Sequence, residues 1–272
     1  MIGTTAKVTE HYSAPGLMDR IKTVLATLGP EDQPLSVAQL APLDQFHIRG
    51  VQATTELAGA AGIESWTRVL DLGCGIGGPA RYLAFTFGCK VIAVDLSPGF
   101  IEAAIYLTAR SGLSDRVAFQ VGNALHLPFE DAAFDVVFLQ HVAMNIADRA
   151  ALYTEVHRIL TPGGRFATYD LVFGDGDVVY PVPWARDAST SFLLRERDTR
   201  VTLEQGGFTP ILWRDDTEIA GNWFKATMTR PPQNGLSLGV VMGPDFREMT
   251  GNLARNLRER RLGVLSAVLT RD

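Results

Sequence analysis

Cysteine is almost missing from this chain: two residues, Cys74 and Cys89, in 272. That excludes a disulfide framework and a thiolate metal centre, and both read as small buried side chains in a reducing compartment. The five histidines contain no His-x-x-x-His pair and lie near no acidic cluster, so no metal site is expected. No apolar stretch reaches membrane-spanning length, and no amino-terminal apolar run precedes a cleavage site. The expectation is a soluble, cytoplasmic protein without a membrane partner, monomeric or homodimeric. Basic runs interleaved with aromatics are absent, as is the Asp/Asn-Pro-Pro-Tyr/Phe motif of enzymes that modify nucleic-acid bases. With a net charge of -5, nucleic acid is not an expected partner. The basic stretch 255–261 reads as the solvated face of a helix end. No nucleophile elbow surrounds Ser189 or Ser191, which removes support for a hydrolase.

What the chain does have is glycine in one decisive place. Val69-Leu70-Asp71-Leu72-Gly73-Cys74-Gly75-Ile76-Gly77-Gly78 runs from an apolar strand through a carboxylate into a glycine-rich turn. Backbone without Cβ atoms lets a ligand lie against the chain. Glycines 73, 75 and 78 satisfy the dinucleotide spacing, and Asp95 stands twenty residues past Gly75, so the pattern alone admits NAD. Asp71 favours a different ligand. A pyrophosphate seeks N–H donors and avoids negative charge, whereas the ammonium of S-adenosylmethionine can be oriented by a carboxylate. Lys90 to Asp95 then reads as a second buried strand whose terminal carboxylate can accept ribose hydroxyls, and Asn123, after the strand Val117 to Val121, can meet the adenine amino edge.

Periodicity organises the remainder. Residues 1–64 carry helical patterns, such as Leu17, Ile21, Val24, Leu25 and Leu28, and predict a helical cap. Strand-like runs follow at Arg68 to Leu72, Val91 to Val94, Val117 to Val121, Val136 to Leu139 and Phe166 to Val172. Helical segments between them open at Pro79 and just after Ser97-Pro98. This alternation predicts an α/β fold with a parallel sheet and right-handed crossovers over 65–172. Residues 173–197, rich in Pro and aromatics, read as a loop or lid folded over a site. Residues 198–272 supply helices over 198–204, 218–228 and 244–260, with strands at Phe208 to Arg214 and Leu262 to Thr270. At 272 residues with 46% hydrophobic content, the chain reads as one domain with a cap and lid.

Taken in order, the glycine turn, Asp95, Gly122-Asn123-Ala124, Phe134 to Phe138 and Leu160-Thr161-Pro162-Gly163-Gly164-Arg165 resemble class I S-adenosylmethionine-dependent methyltransferases. Three further segments, Leu43 to Gly50, Gln140 to Ile146 and Tyr180 to Ala185, together with Met242 to Phe246, resemble the small-molecule type 11 group. That group includes sarcosine and dimethylglycine N-methyltransferases and, more distantly, ubiquinone/menaquinone methyltransferases. The resemblance implies a Rossmann-like sheet of seven strands, mostly parallel with the last antiparallel. It implies S-adenosyl-L-methionine as cofactor and a cofactor-binding set of Asp71, Gly73, Cys74, Gly75, Gly77, Asp95, Leu96, Asn123, Ala124 and Gln140. Many relatives carry aspartate where Asn123 stands; asparagine keeps the carbonyl acceptor and loses the charge.

On the acceptor side the chemistry is in-line displacement at a sulfonium methyl, which gains most from positioning and exclusion of water, so a base is optional. His141, just past the fourth strand, is the candidate catalytic base if the acceptor must lose a proton, with a pocket-shaping histidine as the alternative. Tyr12, His47, Arg49, His141, Asn145, Trp184 and Arg186 form the candidate substrate set: aromatics for a cationic or apolar group, Arg49 or Arg186 for a carboxylate. A glycine-derived acceptor demands one buried arginine in that pocket. The expected function is methyl transfer to a small molecule, an amine ahead of carbon or oxygen acceptors by resemblance. An NAD-dependent oxidoreductase is the alternative, disfavoured by Asp71 and by the lack of a Tyr-x-x-x-Lys pair, and a non-enzymatic binding protein is the third reading.

Overall fold

The structure is a computed structural model that describes residues 2–12, 15–227 and 235–272; Met228, at the end of one expected helix, lies outside them. Helices α1 (Ile2–His11), α2 (Leu17–Leu25), α3 (Val37–Asp44) and α4 (Gly50–Ala60) precede the first strand. The core then alternates as β1 (Arg68–Leu72), α5 (Gly78–Phe87), β2 (Lys90–Asp95), α6 (Pro98–Arg110), β3 (Val117–Val121), β4 (Phe134–Gln140), α7 (Arg149–Ile159) and β5 (Leu160–Phe173). It closes with α8 (Glu196–Gln205), β6 (Phe208–Asp215), α9 (Thr217–Thr227), α10 (Gly239–Met242), α11 (Phe246–Arg258) and β7 (Leu262–Arg271).

Seven strands form one sheet in the order β3-β2-β1-β4-β5-β7-β6. The first five pair in parallel, and β7 runs antiparallel to both β5 and β6. Because the chain leaves β1 toward β2 on one side and later returns to β4 on the other, the crevice lies at their carboxyl ends. The period of two along each strand sorts the core. Val69, Val91, Phe138 and Tyr169 pack on one face with Leu57 and Leu83, while Leu70, Val137, Leu139 and Phe166 pack on the other with Leu152 and Val156. Between β4 and β5 the register jumps: Phe134 pairs with Leu160 but Val136 with Arg165, so the expected turn at 161–164 bulges out of a continuous strand.

The segment after β5 does not behave as a lid. Trp184 is buried in the core beside Val182 and Ala185, and its indole N–H donates to Ser191 Oγ. Asn256 clamps Val179 through both its N–H and its carbonyl, Asn252 donates to Pro181 O, and Asn145 Nδ2 donates to Trp184 O and Thr190 O. These bonds satisfy buried backbone that a free loop would leave to water. The amino-terminal cap reaches the crevice through Val8 of α1 and Tyr12 just after it. Among the described residues no helix is long and apolar enough to cross a membrane.

Candidate active site

A cleft with about 220 Å³ of free volume opens at the carboxyl ends of β1, β2 and β4. Its floor is the glycine turn. Gly73, Gly75 and Gly77 all have positive φ, at 78°, 55° and 83°, conformations that cost an L residue with a Cβ. They do different work. A Cβ on Gly73 would lie 2.3 Å from Val142 Cγ2, and one on Gly77 would lie 2.8 Å from the Phe119 ring, whereas one on Gly75 would meet nothing nearer than Phe46 at 3.6 Å. Gly75 is thus the position where missing bulk is open to a ligand. Gly77 serves packing at the start of α5 and does not line the cleft, a correction to its place in the cofactor set.

Two carboxylates brace this turn. Asp95 Oδ2 accepts from Gly75 N at 2.8 Å, and Oδ1 accepts from Ser97 N at 2.9 Å. Burial outweighs those bonds and pushes its carboxyl up to about 6. Asp71 is buried behind the turn and is not part of the cleft wall. It takes a backbone hydrogen bond from Ala80 in the first turn of α5, its Oδ2 has no protein partner, and burial followed by the charge of Asp95 raises it to about 7. Direct ammonium contact by Asp71 is therefore not what the wall offers. Asn123 Oδ1 is already used by Leu125 N at 3.0 Å, closing its own turn and leaving the second lone pair and the amide donor.

The opposite wall was only partly legible. Leu96, Ala124, Gln140, His141 and Asn145 line the cleft together with Tyr12 and His47 from the cap. Phe46, Phe100, Asp44 and Asp148, which the sequence reading did not name for the site, line it too. Tyr12 reaches across the mouth, donating to Asn145 Oδ1 at 3.0 Å and meeting Phe100 edge-on at 5.6 Å. The Phe46-His47 segment is set by one close contact: a Cβ on Gly78 would strike Asp44 O at 2.1 Å, so only glycine lets the end of α3 sit on the start of α5.

The expected arginines are elsewhere. Arg49, with φ 69°, turns away from the cleft to pair with Glu56 and with the fully buried Asp216 at 3.3 Å. Arg186 is exposed and pairs with Asp245 at 2.9 Å. Neither lines the cleft, nor does Trp184. Sequence gave their chemistry and not their direction. Among the described residues the cleft wall has no Arg or Lys, and its charged side chains are Asp44, Asp95 and Asp148. No group of His, Cys, Asp and Glu among the described residues can hold a metal.

His141 also has positive φ, 53°, a strained state for a residue with a Cβ. The ring stacks on Tyr169 with centroids 5.5 Å apart and planes at 11°, and the backbone N–H donates to Tyr169 O. Burial, and secondarily His47, hold its pKa well below 6.5, so the imidazole is neutral at neutral pH. His47 is lowered to about 4 by burial.

Residues 70–168 match the family model described as a methyltransferase domain. The chain carries a class I methyltransferase domain. It is 38% identical over 116 residues to a sterol 24-C-methyltransferase of Eremothecium gossypii, covering 43% of this chain and 31% of that one. It is 39% identical over 124 residues to the chloroplastic tocopherol O-methyltransferase of Arabidopsis thaliana, covering 44% and 36%. The chain thus spans about a third of the length of these relatives. A geranyl diphosphate C-methyltransferase structure from Streptomyces coelicolor A3(2), with S-adenosyl-L-homocysteine bound, superposes with a TM-score of 0.67 at 18% identity, covering 96% and 99% of the two chains. At that identity the likeness is one of fold. Substituting Asp95 by alanine is expected to weaken S-adenosylhomocysteine binding by about 1–3 kcal/mol, by loss of a charged acceptor and of the Gly75 brace. Unchanged affinity by calorimetric titration would remove Asp95 from the site.

Proposed function

We propose that this methyltransferase domain transfers the methyl group of S-adenosyl-L-methionine to an uncharged, largely apolar small molecule. The observation that carries the reading is the wall composition: apolar and aromatic side chains, three aspartates, and no arginine or lysine among the described lining residues. A carboxylate or diphosphate acceptor would enter a cleft with no cation among its described lining residues to receive it. That argues against the glycine-derived amines suggested by the sequence resemblance, and it favours a carbon, oxygen or neutral nitrogen nucleophile.

The cofactor suits the residues present. Gly73, Cys74 and Gly75 give a close backbone approach, Asp95 and Leu96 stand at the β2 end, and Asn123 and Ala124 follow β3. When bound, S-adenosyl-L-methionine supplies a methyl made electrophilic by its sulfonium. The protein's own part is positioning and the exclusion of water by Tyr12, Phe46 and Phe100. Gln140 to Val142, at the β4 end, line the same cleft and are assigned to the acceptor side; for Gln140 this replaces the cofactor role expected from the resemblance. Product mass spectrometry with a panel of neutral phenols, sterols and enolisable ketones against matched carboxylates and phosphates tests this; turnover confined to the anionic members would refute it.

His141→Ala is expected to lower turnover at least about tenfold with little change in cofactor affinity. The pH profile follows from the depressed pKa. A neutral imidazole is present across the neutral range, so the part of the wild-type profile that depends on His141 should fall only on the acid side, while any limb from Asp95, at about 6, or Asp71, at about 7, persists in the variant. An acid limb that is identical in wild type and His141→Ala, or unchanged turnover in the variant, would remove His141 from the reaction.

A further inference from the structure

Gln140 and His141 both line the cleft, and each carries a buried polar atom without a protein partner, Gln140 Nε2 and His141 Nε2. The other partnerless buried side-chain atoms among the described residues belong to side chains that do not line it. Their orientation is fixed from behind. The Gly50 carbonyl can only accept, so His47 Nε2, 2.9 Å away, carries the proton. The same nitrogen lies 3.0 Å from Thr54 Oγ1, whose own hydrogen goes to Gln140 Oε1 at 3.1 Å. This relay commits the carbonyl end of the Gln140 amide to Thr54 and turns the NH₂ end away from it. Gln140 is 8% exposed, so the amide donors are sheltered from bulk water. A buried donor left unmet is costly, and in native proteins such groups are met by a ligand or an ordered water.

We propose that Gln140 and His141 together form a hydroxyl-recognition pair for the methyl acceptor, Gln140 Nε2–H donating to the acceptor's oxygen and that oxygen's hydrogen going to His141 Nε2. The reading rests on the proposed methyltransferase function and narrows it to acceptors bearing an alcohol, phenol or enol. A donor and an acceptor on neighbouring residues of one cleft wall can together complement a hydroxyl: an ether cannot supply the hydrogen, and a carboxylate would place a negative charge against a nitrogen lone pair. His141 is fit for the accepting role because it is neutral and its ring is fixed by Tyr169. Thr54 is a positioning residue that acts through Gln140.

The test measures binding of 4-butylphenol and 4-butylanisole to the full chain saturated with S-adenosylhomocysteine, so that no turnover is needed. The phenol is expected to bind at least fivefold more tightly than its methyl ether. That preference should vanish in Gln140→Met and in His141→Phe, shrink in Thr54→Val and return in Thr54→Ser. Equal binding of the two probes by wild type, or a preference that survives in both Gln140→Met and His141→Phe, overturns the proposal. A loss of S-adenosylhomocysteine affinity of fivefold or more in Gln140→Met, measured without probe, also overturns it, because the amide would then serve the cofactor's carboxylate. Failure of wild type to bind S-adenosylhomocysteine at all would instead strike the methyltransferase reading itself. Should Gln140→Met not fold, the Thr54 pair and His141→Phe carry the test alone.

Discussion

Gly75→Val should abolish S-adenosylhomocysteine binding, by at least about a hundredfold, while the protein remains folded. The backbone at 75 has φ 55°, so a β-branched residue there is strained, at a cost of roughly 1–2 kcal/mol. The protein itself leaves room for the added atoms, since a Cβ meets only Phe46 at 3.6 Å. The new methyls therefore fall in the cleft where a ligand must approach. They also threaten the Gly75 N–H that Asp95 accepts. The control is Gly73→Val, where the Cβ would already lie 2.3 Å from Val142 and the fold itself should suffer. Calorimetric titration with circular dichroism separates the two cases. Normal binding by a folded Gly75→Val protein would show that the glycine turn is not the cofactor floor.

Much of this architecture could be read in advance because it is written in local signals. The first five strands are apolar runs of strand length separated by turn residues, and the parallel sheet follows from their alternation with helices. Tyr12, His47, His141 and Asn145, picked for their chemistry, come from three separate segments and meet at one cleft. Other residues failed because direction is not a local property. Arg49 has the right charge beside the right histidine, but its left-handed backbone aims it at Asp216, 167 residues further along the chain. Trp184 was read as part of a lid, yet its segment is anchored by Asn145, Asn252 and Asn256, pairings that no periodicity announces. Val8 of α1, which lines the cleft beside Tyr12, carries no signal beyond that of the helical cap. Phe46 and Phe100 carry no sequence signal that sets them apart from other apolar residues.

Arg81 is the clearest example of a residue that sequence reading passed over, and its loss should be the most damaging substitution to the fold. It lies within the helix that opens at Pro79, and it is fully buried. Nη2 donates to Asp44 Oδ2 and to Ile76 O, both at 2.8 Å, and Nη1 donates to Thr108 Oγ1 at 3.0 Å and Ala104 O at 3.3 Å. One side chain thereby joins the cap, the glycine turn and α6. Arg81→Ala should cost about 3–5 kcal/mol, because it strands Asp44 without its cation as well as opening a cavity. For a chain of this size that is a fall in melting temperature on the order of 10 °C. The pH dependence carries a distinguishing sign. Burial already raises Asp44 above the usual carboxylate range, although Arg81 pulls it down. A carboxyl whose folded pKa exceeds its unfolded value costs stability above the folded pKa, and that cost is relieved as pH falls through it. Removing Arg81 raises Asp44 further, so the penalty of the variant should be greatest at alkaline pH and shrink as the pH falls and Asp44 takes up a proton. Arg81→Ala combined with Asp44→Leu should recover part of the loss and flatten that dependence. A penalty independent of pH, with no recovery in the double variant, would mean that packing around the aliphatic stem of Arg81, and not its charge, holds the cap to the glycine turn.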